Sequence, residues 1–382
     1  MKFTDCIEIS GAKPAHYEGT KQYVSTGAVE EYFINKNSIE EYTYNERPSR
    51  ADLVGKSGDI LFAKMAETKK TLILDKETEN YLFSTGFFAI RPKSGILTTK
   101  CLYYLLNSKN FLSQKDKNSS GATQKAITNA GLEKINVNIP LFSKQNQIVK
   151  QFDLLTGIIK KYQTQLEKLD LVIKSRFIEM FGDILAGKYK FETRKLGEIS
   201  EVGSSHRVFT TEFVEHGIPF YRGTEIGELA NGKIPQKTYY ISEEHYQRLI
   251  AQDSKPQIGD LLMPSICNKG QVWMVDTEEP FYYKDGRVLS ISPNREIYNS
   301  KYLQYFMREK TLVEYPKLGS GSTFAEFKIF LLKDIDILTP PLSLQNDFAA
   351  FVQQIDKSKF AVQKSLEKAE TLYKSLMQKY FG

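Results

Sequence analysis

Two segments of the chain carry a long repeating pattern of apolar side chains. In residues 140–182 the apolar or aromatic positions alternate at spacings of four and three, with Arg176 as the polar exception: they are Ile148, Phe152, Leu155, Ile159, Tyr162, Leu166, Leu169, Ile173 and Met180. Residues 340–382 keep the same frame with Lys359 as the exception, at Phe348, Val352, Ile355, Val362, Leu366, Ala369, Tyr373, Leu376 and Tyr380. This spacing predicts two coiled-coil helices whose apolar seams face each other.

The ends of both segments carry helix signals. Ser143 and Ser343 are predicted N-caps, and Gly182 and Gly382 stand where a C-terminal cap is expected. A helix of about 35 residues is about 50 Å long. Because the first helix would lead into a second globular part and the second helix would leave it, antiparallel pairing predicts one domain at each end, related by a pseudo-twofold axis.

The two segments belong to an internal repeat at an offset of 200 residues. Twelve positions are identical between 140–182 and 340–382: Pro140/Pro340, Ser143/Ser343, Gln145/Gln345, Asn146/Asn346, Gln163/Gln363, Leu166/Leu366, Glu167/Glu367, Lys168/Lys368, Lys174/Lys374, Ser175/Ser375, Phe181/Phe381 and Gly182/Gly382. The similarity continues upstream more weakly. The repeat predicts a first globular domain at 1–139, a central helix at 140–182, a second globular domain at 183–339 and a C-terminal helix at 340–382.

Part of the identity lies beside the apolar seam. Three identical residues, spaced by seven positions, occur next to the seam in each helix: Glu167, Lys174 and Phe181 in the first, and Glu367, Lys374 and Phe381 in the second. A seam requires only apolar volume, so identity beside it suggests equivalent surfaces that dock two copies of one partner. The alternative is a merely solvated flank.

The globular parts mix strand and helix patterns. Residues 60–62 and 261–263, each behind a Gly-Asp pair, are predicted buried strands, and 87–90 and 288–291 resemble them. Residues 101–111 and 302–313 are predicted helices. The fold class is therefore mixed α/β (α+β), with a twisted sheet in each domain.

Basic side chains are interleaved with tyrosines and amides in both globular parts. Arginine and lysine can pair with phosphates or with guanine, and ordinary protein surface is the alternative. The DNA-binding candidates are Lys64, Lys69, Lys70, Lys115, Lys117 and Lys125 in the first part, and Arg207, Arg222, Lys269, Lys284 and Arg287 in the second.

Composition agrees with two globular cores. The chain has 382 residues, 41% of them apolar and 26% charged, and its formal net charge of +6 permits nucleic-acid binding without requiring it. The N-terminus lacks the apolar run of a secretory signal, which favours a cytoplasmic protein. Cys6, Cys101 and Cys267 are far apart in sequence and are expected to be buried free thiols.

The sequence lacks a convincing catalytic or metal-binding motif. Pro340-Pro341 does not form the Asp/Asn-Pro-Pro-aromatic motif of adenine methyltransferases, and Glu326-x-Lys328 is weak evidence for a nuclease. The four histidines have no metal-ligand spacing. We therefore expect no catalytic residue and no metal site.

Several motifs together resemble a known family. These are Pro-Leu-Phe-Ser-Lys-Gln-Asn at 140–146 and Pro-Leu-Ser-Leu-Gln-Asn at 341–346, Ser-Gly-Ala-Thr at 120–123 and Ser-Gly-Ser-Thr at 320–323, Gly-Asp-Ile-Leu at 58–61 and Gly-Asp-Leu-Leu at 259–262, and the Phe-Gly pairs at both helix ends. In order and duplication they resemble the specificity subunits of type I restriction-modification systems, over essentially the whole chain.

The resemblance implies a non-catalytic subunit. Each globular domain would read one half of a bipartite site in double-stranded DNA, and the helices would set the gap between the halves. Two methyltransferase subunits would dock on the helices, and restriction (translocase) subunits could join them. S-adenosylmethionine and ATP with magnesium would be bound by those partners and not by this chain. Because the two domains share little sequence, the target is expected to be asymmetric.

Two other classes of protein stay open at this point. One is a coiled-coil scaffold that binds only protein, and the other is a stand-alone nuclease or methyltransferase with duplicated domains. Salt-dependent binding of duplex DNA would exclude the scaffold.

Overall fold

A computed structural model of the chain describes residues 1–31, 33–252, 255–318 and 325–382. It divides into two compact units, one made of residues 1–165 and 362–382 and the other of residues 166–361. Each unit contains one globular part and segments of two long helices. The Ser-Gly-Ser-Thr segment at 320–323, which matches 120–123, lies outside the described residues.

The first unit begins with short strands, and two of them correspond to runs predicted from the sequence. The strands are β1 Ile7–Ile9, β2 Lys21–Val24, β3 Val29–Glu30, β4 Phe33–Ile34, β5 Glu40–Tyr42, β6 Ile60–Ala63, β7 Thr71–Ile73, β8 Leu82–Phe83 and β9 Phe87–Pro92. They are followed by the helices α1 Thr99–Leu106, α2 Lys109–Lys117, α3 Asn129–Leu132 and α4 Phe142–Phe181. The part of α4 up to residue 165 belongs to this unit. The runs at 60–62 and 87–90 fall in β6 and β9, as predicted.

Two sheets organise this unit. An antiparallel sheet has the order β1-β9-β6-β7, with Ile60 opposite Ile90. All four residues of β6 are buried, which explains its unbroken apolar sequence. A smaller sheet has the order β5-β2-β8, in which β2 runs antiparallel to β5 and parallel to β8.

The second unit also mixes short strands with helices. Its strands are β10 Gly182–Asp183, β11 Lys188–Tyr189, β12 Thr193–Lys195, β13 Ser200–Ser204, β14 Ile218–Tyr221, β15 Tyr239–Ile241, β16 Leu261–Pro264, β17 Trp273–Met274, β18 Tyr282–Tyr283, β19 Val288–Pro293 and β20 Asp336–Leu338. Its helices are α5 Leu196–Ile199, α6 Gly223–Ala230, α7 Glu243–Gln252, α8 Ser300–Glu314 and α9 Ile329–Lys333, and α10 Leu342–Phe381 starts here.

The main sheets of the second unit have the same strand order as those of the first. One has the order β13-β19-β16-β17 and the other β15-β14-β18, again with a parallel pair, β14 and β18. The predicted strands at 261–263 and 288–291 lie in β16 and β19, and the predicted helix at 302–313 lies in α8. The fold is mixed α/β, as predicted.

The predicted helix at 101–111 is confirmed only in part, because the region is helical but is divided between two helices. Helix α1 ends at Leu106 and α2 starts at Lys109. The hydroxyl oxygen of Ser108 accepts a hydrogen bond from the backbone N–H of Phe111 at 3.2 Å, which caps a new helix. A cap inside an apolar run is easily overlooked when only periodicity is followed.

Helices α4 and α10 each have 40 residues, and their ends differ in part from the prediction. They begin at Phe142 and Leu342, so Ser143 and Ser343 lie inside the first turn and are not N-caps. Helix α4 ends at Phe181, and Gly182 follows with a φ of +101°, as a C-terminal glycine should. A Cβ atom on Gly182 would lie 2.1 Å from the carbonyl oxygen of Lys188, so only glycine fits there.

Aromatic rings join the helices to the core of each unit. In the first unit the buried ring of Phe152 lies 5.5 Å from that of Tyr373 and 5.9 Å from that of Phe381. In the second unit the buried ring of Phe348 lies 5.6 Å from that of Phe181. Phe181 and Phe381 are 0% and 1% exposed. The interpretation of these two rings as docking surface is therefore corrected: both are core residues, and core packing accounts for their identity.

The three cysteines are free and buried, as expected from the sequence. Burial raises the pKa of the Cys101 thiol to about 12 and that of Cys267 to about 11. Within the described residues, no helix has the length and apolar character that a membrane crossing requires.

Candidate nucleic-acid interface

In the first unit, the predicted lysines gather around the loop that follows β6. This loop, residues 64–70, is called the first loop. Its initial residue, Lys64, donates from its ammonium group to the carbonyl oxygen of Thr85 at 2.8 Å and lies 4.5 Å from the ring centre of Phe88. Burial lowers the pKa of Lys64. The ammonium group is thus held in a defined place at the end of the sheet.

Other lysines surround the first loop. Lys70 donates to the carbonyl oxygen of Thr26 at 2.7 Å, and the exposed Lys69 lies 3.8 Å from the carboxylate of Glu31. The exposed Lys125 is brought alongside, because its carbonyl oxygen accepts a hydrogen bond from the N–H of Ala66 at 2.9 Å.

Helix α2 closes this side of the first loop. The carboxylate of Asp116 accepts a hydrogen bond from the N–H of Glu67 at 2.9 Å, and the next residue, Lys117, is exposed. Lys117 therefore joins Lys64, Lys69, Lys70 and Lys125 on or next to this loop.

Lys115 is the sixth, and its prediction as a DNA contact is corrected. The residue is 1% exposed, and its ammonium group donates to the carbonyl oxygens of Met65 and Thr68 at 2.9 and 2.6 Å. Lys115 therefore holds the first loop from inside. Sequence alone could not separate it from Lys117, because both are lysines on the same helix.

In the second unit, the equivalent loop follows β16 and lies beside an arginine–carboxylate cluster. This loop, residues 265–270, is called the second loop. Arg287 donates from Nη1 to Glu326 at 2.7 Å, and the Ser265 hydroxyl lies 3.4 Å from the same carboxylate oxygen. Lys328 pairs with the other oxygen of Glu326. The hydrogen bond from Lys328, assisted by the charge of Arg287, lowers the pKa of Glu326, so this carboxylate is ionised at neutral pH.

A second arginine–carboxylate pair stands at the end of β14. Arg222 donates from Nε and Nη2 to the two carboxylate oxygens of Glu225 at 3.2 and 2.8 Å. The guanidinium carbon lies 4.4 Å from the ring centre of Tyr239. Burial acts to raise the pKa of Glu225, but the hydrogen bonds from Arg222 outweigh it and leave that pKa lowered.

The remaining candidates of the second unit adjoin these pairs. Lys284 and Arg207 lie 3.9 and 3.6 Å from the carboxylate of Asp285. The N–H of Lys284 donates to the carbonyl oxygen of Tyr221, directly before Arg222. Lys269 is exposed in the second loop. All five candidates of this unit thus belong to connected segments at one end of its sheets.

The two loops rest on the same backbone framework. In the first unit the N–H of Lys64 donates to the carbonyl of Gly86, and the carbonyl of Lys64 accepts from Ile127, both at 2.8 Å. In the second unit Ser265 makes these two bonds with Arg287 and Phe327, at 2.9 and 2.8 Å. The two units therefore share these backbone hydrogen bonds, whereas the side chains at the equivalent positions differ.

Sequence reasoning missed the carboxylates that hold the arginines. Glu225 and Glu326 were not among the DNA-binding candidates, although both contact predicted DNA-binding residues. The Arg222–Glu225 spacing of three residues was a usable signal, because side chains three apart at a helix start can meet. The Arg287–Glu326 contact joins residues 39 apart and has no local signature.

The proposed docking positions are only partly at the surface. Glu167, Glu367 and Lys374 are exposed, and Lys174 is half-buried. Because Phe181 and Phe381 are core residues, only these four polar residues remain as docking candidates. Among the residues that the structure describes, no group of three or more His, Cys, Asp or Glu is placed to hold a metal ion.

These features define a class of protein with two similarly built α/β domains, each presenting a loop with clustered cations. A family model for the type I restriction modification DNA specificity domain matches residues 12–169 and again residues 188–370. The chain belongs to this family of type I restriction-modification specificity proteins.

Three similar proteins agree with that placement. The chain is 22% identical over 376 residues to the MjaIX specificity subunit of Methanocaldococcus jannaschii, covering 94% of this chain and 82% of that protein. It is 23% identical to the HindI specificity subunit of Haemophilus influenzae, covering 77% and 79%. It is also 25% identical to the specificity subunit S.HindORF215P of the same organism, covering 68% of this chain and 65% of that protein's length.

Solved structures show the same fold. The specificity subunit of the type I system of M. genitalium aligns with a TM-score of 0.56 at 14% identity, covering all of this chain and 95% of that one. A chain from a structural study of complex assembly and conformational transition in a type I R-M system also has a TM-score of 0.56, at 20% identity, covering 98% and 95%.

Proposed function

We propose that the chain is the non-catalytic DNA-specificity subunit of a type I restriction-modification complex. Each globular domain reads one half of a bipartite site in double-stranded DNA. The observation that carries the proposal is the shared backbone framework of the first and second loops, with lysines on or next to the first loop and carboxylate-held arginines beside the second. The same backbone framework with different side chains suits two DNA-recognition domains that bind different sequences. The DNA site is therefore asymmetric.

The contacts of the long helices support an antiparallel spacer. In the first unit the early α4 residue Phe152 meets the late α10 residue Phe381, and in the second unit the early α10 residue Phe348 meets the late α4 residue Phe181. Within the second unit, Lys359 of α10 also lies 2.6 Å from Asp170 of α4. Forty helical residues are about 60 Å long, so an antiparallel coiled-coil pair with pseudo-twofold symmetry would act as a ruler for the gap in the DNA site.

The partners follow from the same proposal. Two methyltransferase subunits dock on the helices, with Glu167, Lys174, Glu367 and Lys374 as candidate contacts, and restriction subunits can join them. S-adenosylmethionine and ATP with magnesium are bound by those partners. This chain contributes the sequence readout and works in the cytoplasm, where the DNA is.

The proposal is tested by co-expressing the chain with the methyltransferase encoded beside it, in a host without other adenine methylation. Methylome sequencing is expected to show one split motif, with two short unlike halves around a fixed unspecified gap. A stable partner-bound complex that adds no methylation and shows no salt-dependent binding of duplex DNA would contradict the proposal and favour a protein-binding scaffold.

A further inference from the structure

The two carboxylate-held arginines of the second unit have the geometry of base-reading groups. We propose that Arg222 and Arg287 determine specificity by recognising guanines in the half-site of the second domain. This inference rests on the proposed function and adds to it the chemical identity of part of one half-site.

The orientation of the Arg222 guanidinium is fixed by a buried carboxylate. Its partner Glu225 is 2% exposed, whereas the side chain of Arg222 is 38% exposed. The contacts with Glu225 use the Nε–Nη2 edge of the guanidinium, and Glu225 also accepts the backbone N–H of Arg222 at 2.8 Å. The Nη1–Nη2 edge can still present two parallel donors to a ligand.

Arg287 is held in the same way. The side chain of Glu326 is 19% exposed and that of Arg287 is 59% exposed, so the carboxylate lies beneath the guanidinium. Only Nη1 of Arg287 meets Glu326, and Glu326 is itself anchored by Ser265 and Lys328. A guanidinium that is already oriented loses little side-chain freedom when it binds a planar acceptor pair.

The two arginines belong to one patch. A Cβ atom on Gly223, the residue after Arg222, would lie 3.1 Å from Cβ of Pro264 and 3.7 Å from the carbonyl oxygen of Arg287. The ends of β14 and β16 and the start of β19 therefore carry both side chains together. That patch also contains the second loop.

The equivalent positions in the first unit lack this chemistry. Strand pairing makes Ser25 the counterpart of Arg222, because Tyr23 and Phe220 hold the same place in the sheets, and Gly86 is the counterpart of Arg287. Neither residue provides a cation. Since the framework is shared, the arginines are not required by the fold, which favours a role in reading a particular sequence.

Guanine is the base that fits two parallel N–H donors. Its O6 and N7 atoms form an acceptor pair in the major groove, and arginine binds this pair with both donors. A lysine can replace arginine at a phosphate, since it keeps the charge, but it does not reproduce the planar fork. This difference allows a base contact to be distinguished from a backbone contact.

The experiment uses the complete complex with its methyltransferase partner and a library of DNA sites randomised in both half-sites. The variants are Arg222→Lys and Arg287→Lys, with Arg295→Ala as the matched control. Arg295 also pairs with a carboxylate, that of Asp260 at 3.2 Å, but at the other end of β16. The other half-site, read by the first domain, reports in every variant whether the complex is still folded and assembled.

The wild-type complex is expected to select guanines in one half-site. Both lysine variants should lose preference at positions in that same half-site by about 10- to 100-fold and leave the other half-site unchanged. Replacing the selected guanine by 7-deazaguanine, which lacks the N7 acceptor, should weaken wild-type binding but have little effect on the variant that lost that contact. Arg295→Ala should select the wild-type site.

Two results would overturn the inference. One is a half-site pair without guanine. The other is lysine variants that keep the wild-type base preference and change only the salt dependence of binding, which would identify phosphate contacts. A wild-type complex that assembles but selects no site would instead refute the proposed function itself, and is recognised because it fails before any variant is compared.

Discussion

Gln145 and Gln345 make the same three hydrogen bonds, each within its own unit. The amide nitrogen of Gln145 donates to the carbonyl oxygens of Ile96 and Pro140 at 2.8 and 3.1 Å, and its oxygen accepts from the N–H of Thr98 at 2.8 Å. Gln345 repeats these contacts with Ile297, Pro340 and Asn299, at 3.0, 2.9 and 3.0 Å. Both side chains are fully buried. They fasten the start of each long helix to the globular part beside it.

Replacing either glutamine by alanine is expected to destabilise the unit that contains it. Gln145→Ala or Gln345→Ala leaves one buried N–H and two carbonyl groups without their side-chain partner, at a cost of about 1–3 kcal/mol. Urea unfolding measures this change. The matched controls are Gln163→Ala and Gln363→Ala, which are also identical across the repeat but exposed, and should change stability by less than about 0.5 kcal/mol. Equal effects at all four positions would contradict the anchoring role.

The aromatic helix ends provide a second prediction. Phe381→Ala removes a ring that is packed against Phe152 and should cost about 3–5 kcal/mol of unfolding free energy. Phe360→Ala on the same helix removes a ring that is 71% exposed and should cost little. Thermal unfolding of both variants makes the comparison. If Phe381→Ala kept wild-type stability but lost the methyltransferase partner, the ring would be a docking residue after all.

The sequence predicted the fold where its signals were local. The strand runs at 60–62 and 261–263 appear as β6 and β16 because every residue in these short strands is buried, so the apolar run is unbroken. The helix ends were predicted less well. Ser143 and Ser343 looked like caps, but Gln145 and Gln345 bond to the carbonyls of Pro140 and Pro340 and to residues almost 50 positions upstream, contacts that no local rule describes.

The candidate site was predicted in its residue types but not in its construction. Lys115 and Lys117 have the same side chain and lie on one helix, yet only tertiary structure places Lys115 inside the first loop. Similarly, Arg287 was identified as a cation without Glu326, because the chain must fold before residues 39 apart can meet. Sequence therefore indicates which surfaces are cationic, whereas the partners that orient each cation require the structure.

Lys115 gives rise to a pH-dependent prediction. Burial lowers its pKa below the ordinary value of 10.5, although Asp116 partly opposes this. The unfolded chain therefore holds this proton more tightly than the folded protein, so the contribution of Lys115 to stability rises with pH in the alkaline range below 10.5 and levels off above it. The stability advantage of the wild type over Lys115→Met should grow as the pH increases in that range. Urea unfolding at neutral pH and at successively higher pH measures it, with the exposed Lys117→Met as control. A constant or shrinking advantage would contradict the prediction.

The buried cysteines should be chemically silent until the protein unfolds. The thiolate is the reactive form of cysteine, and burial raises the pKa of Cys101 to about 12 and that of Cys267 to about 11, while the pKa of Cys6 is also raised, chiefly by burial. At pH 8 the thiolate fraction of Cys101 and Cys267 is therefore very small, and burial also blocks the reagent. A thiol-specific chromogenic disulfide should react with none of the three cysteines in the native protein and with all three in denaturant. Fast labelling of one thiol in the native protein would show that its surroundings open locally, and mass spectrometry of the labelled peptide would show which one.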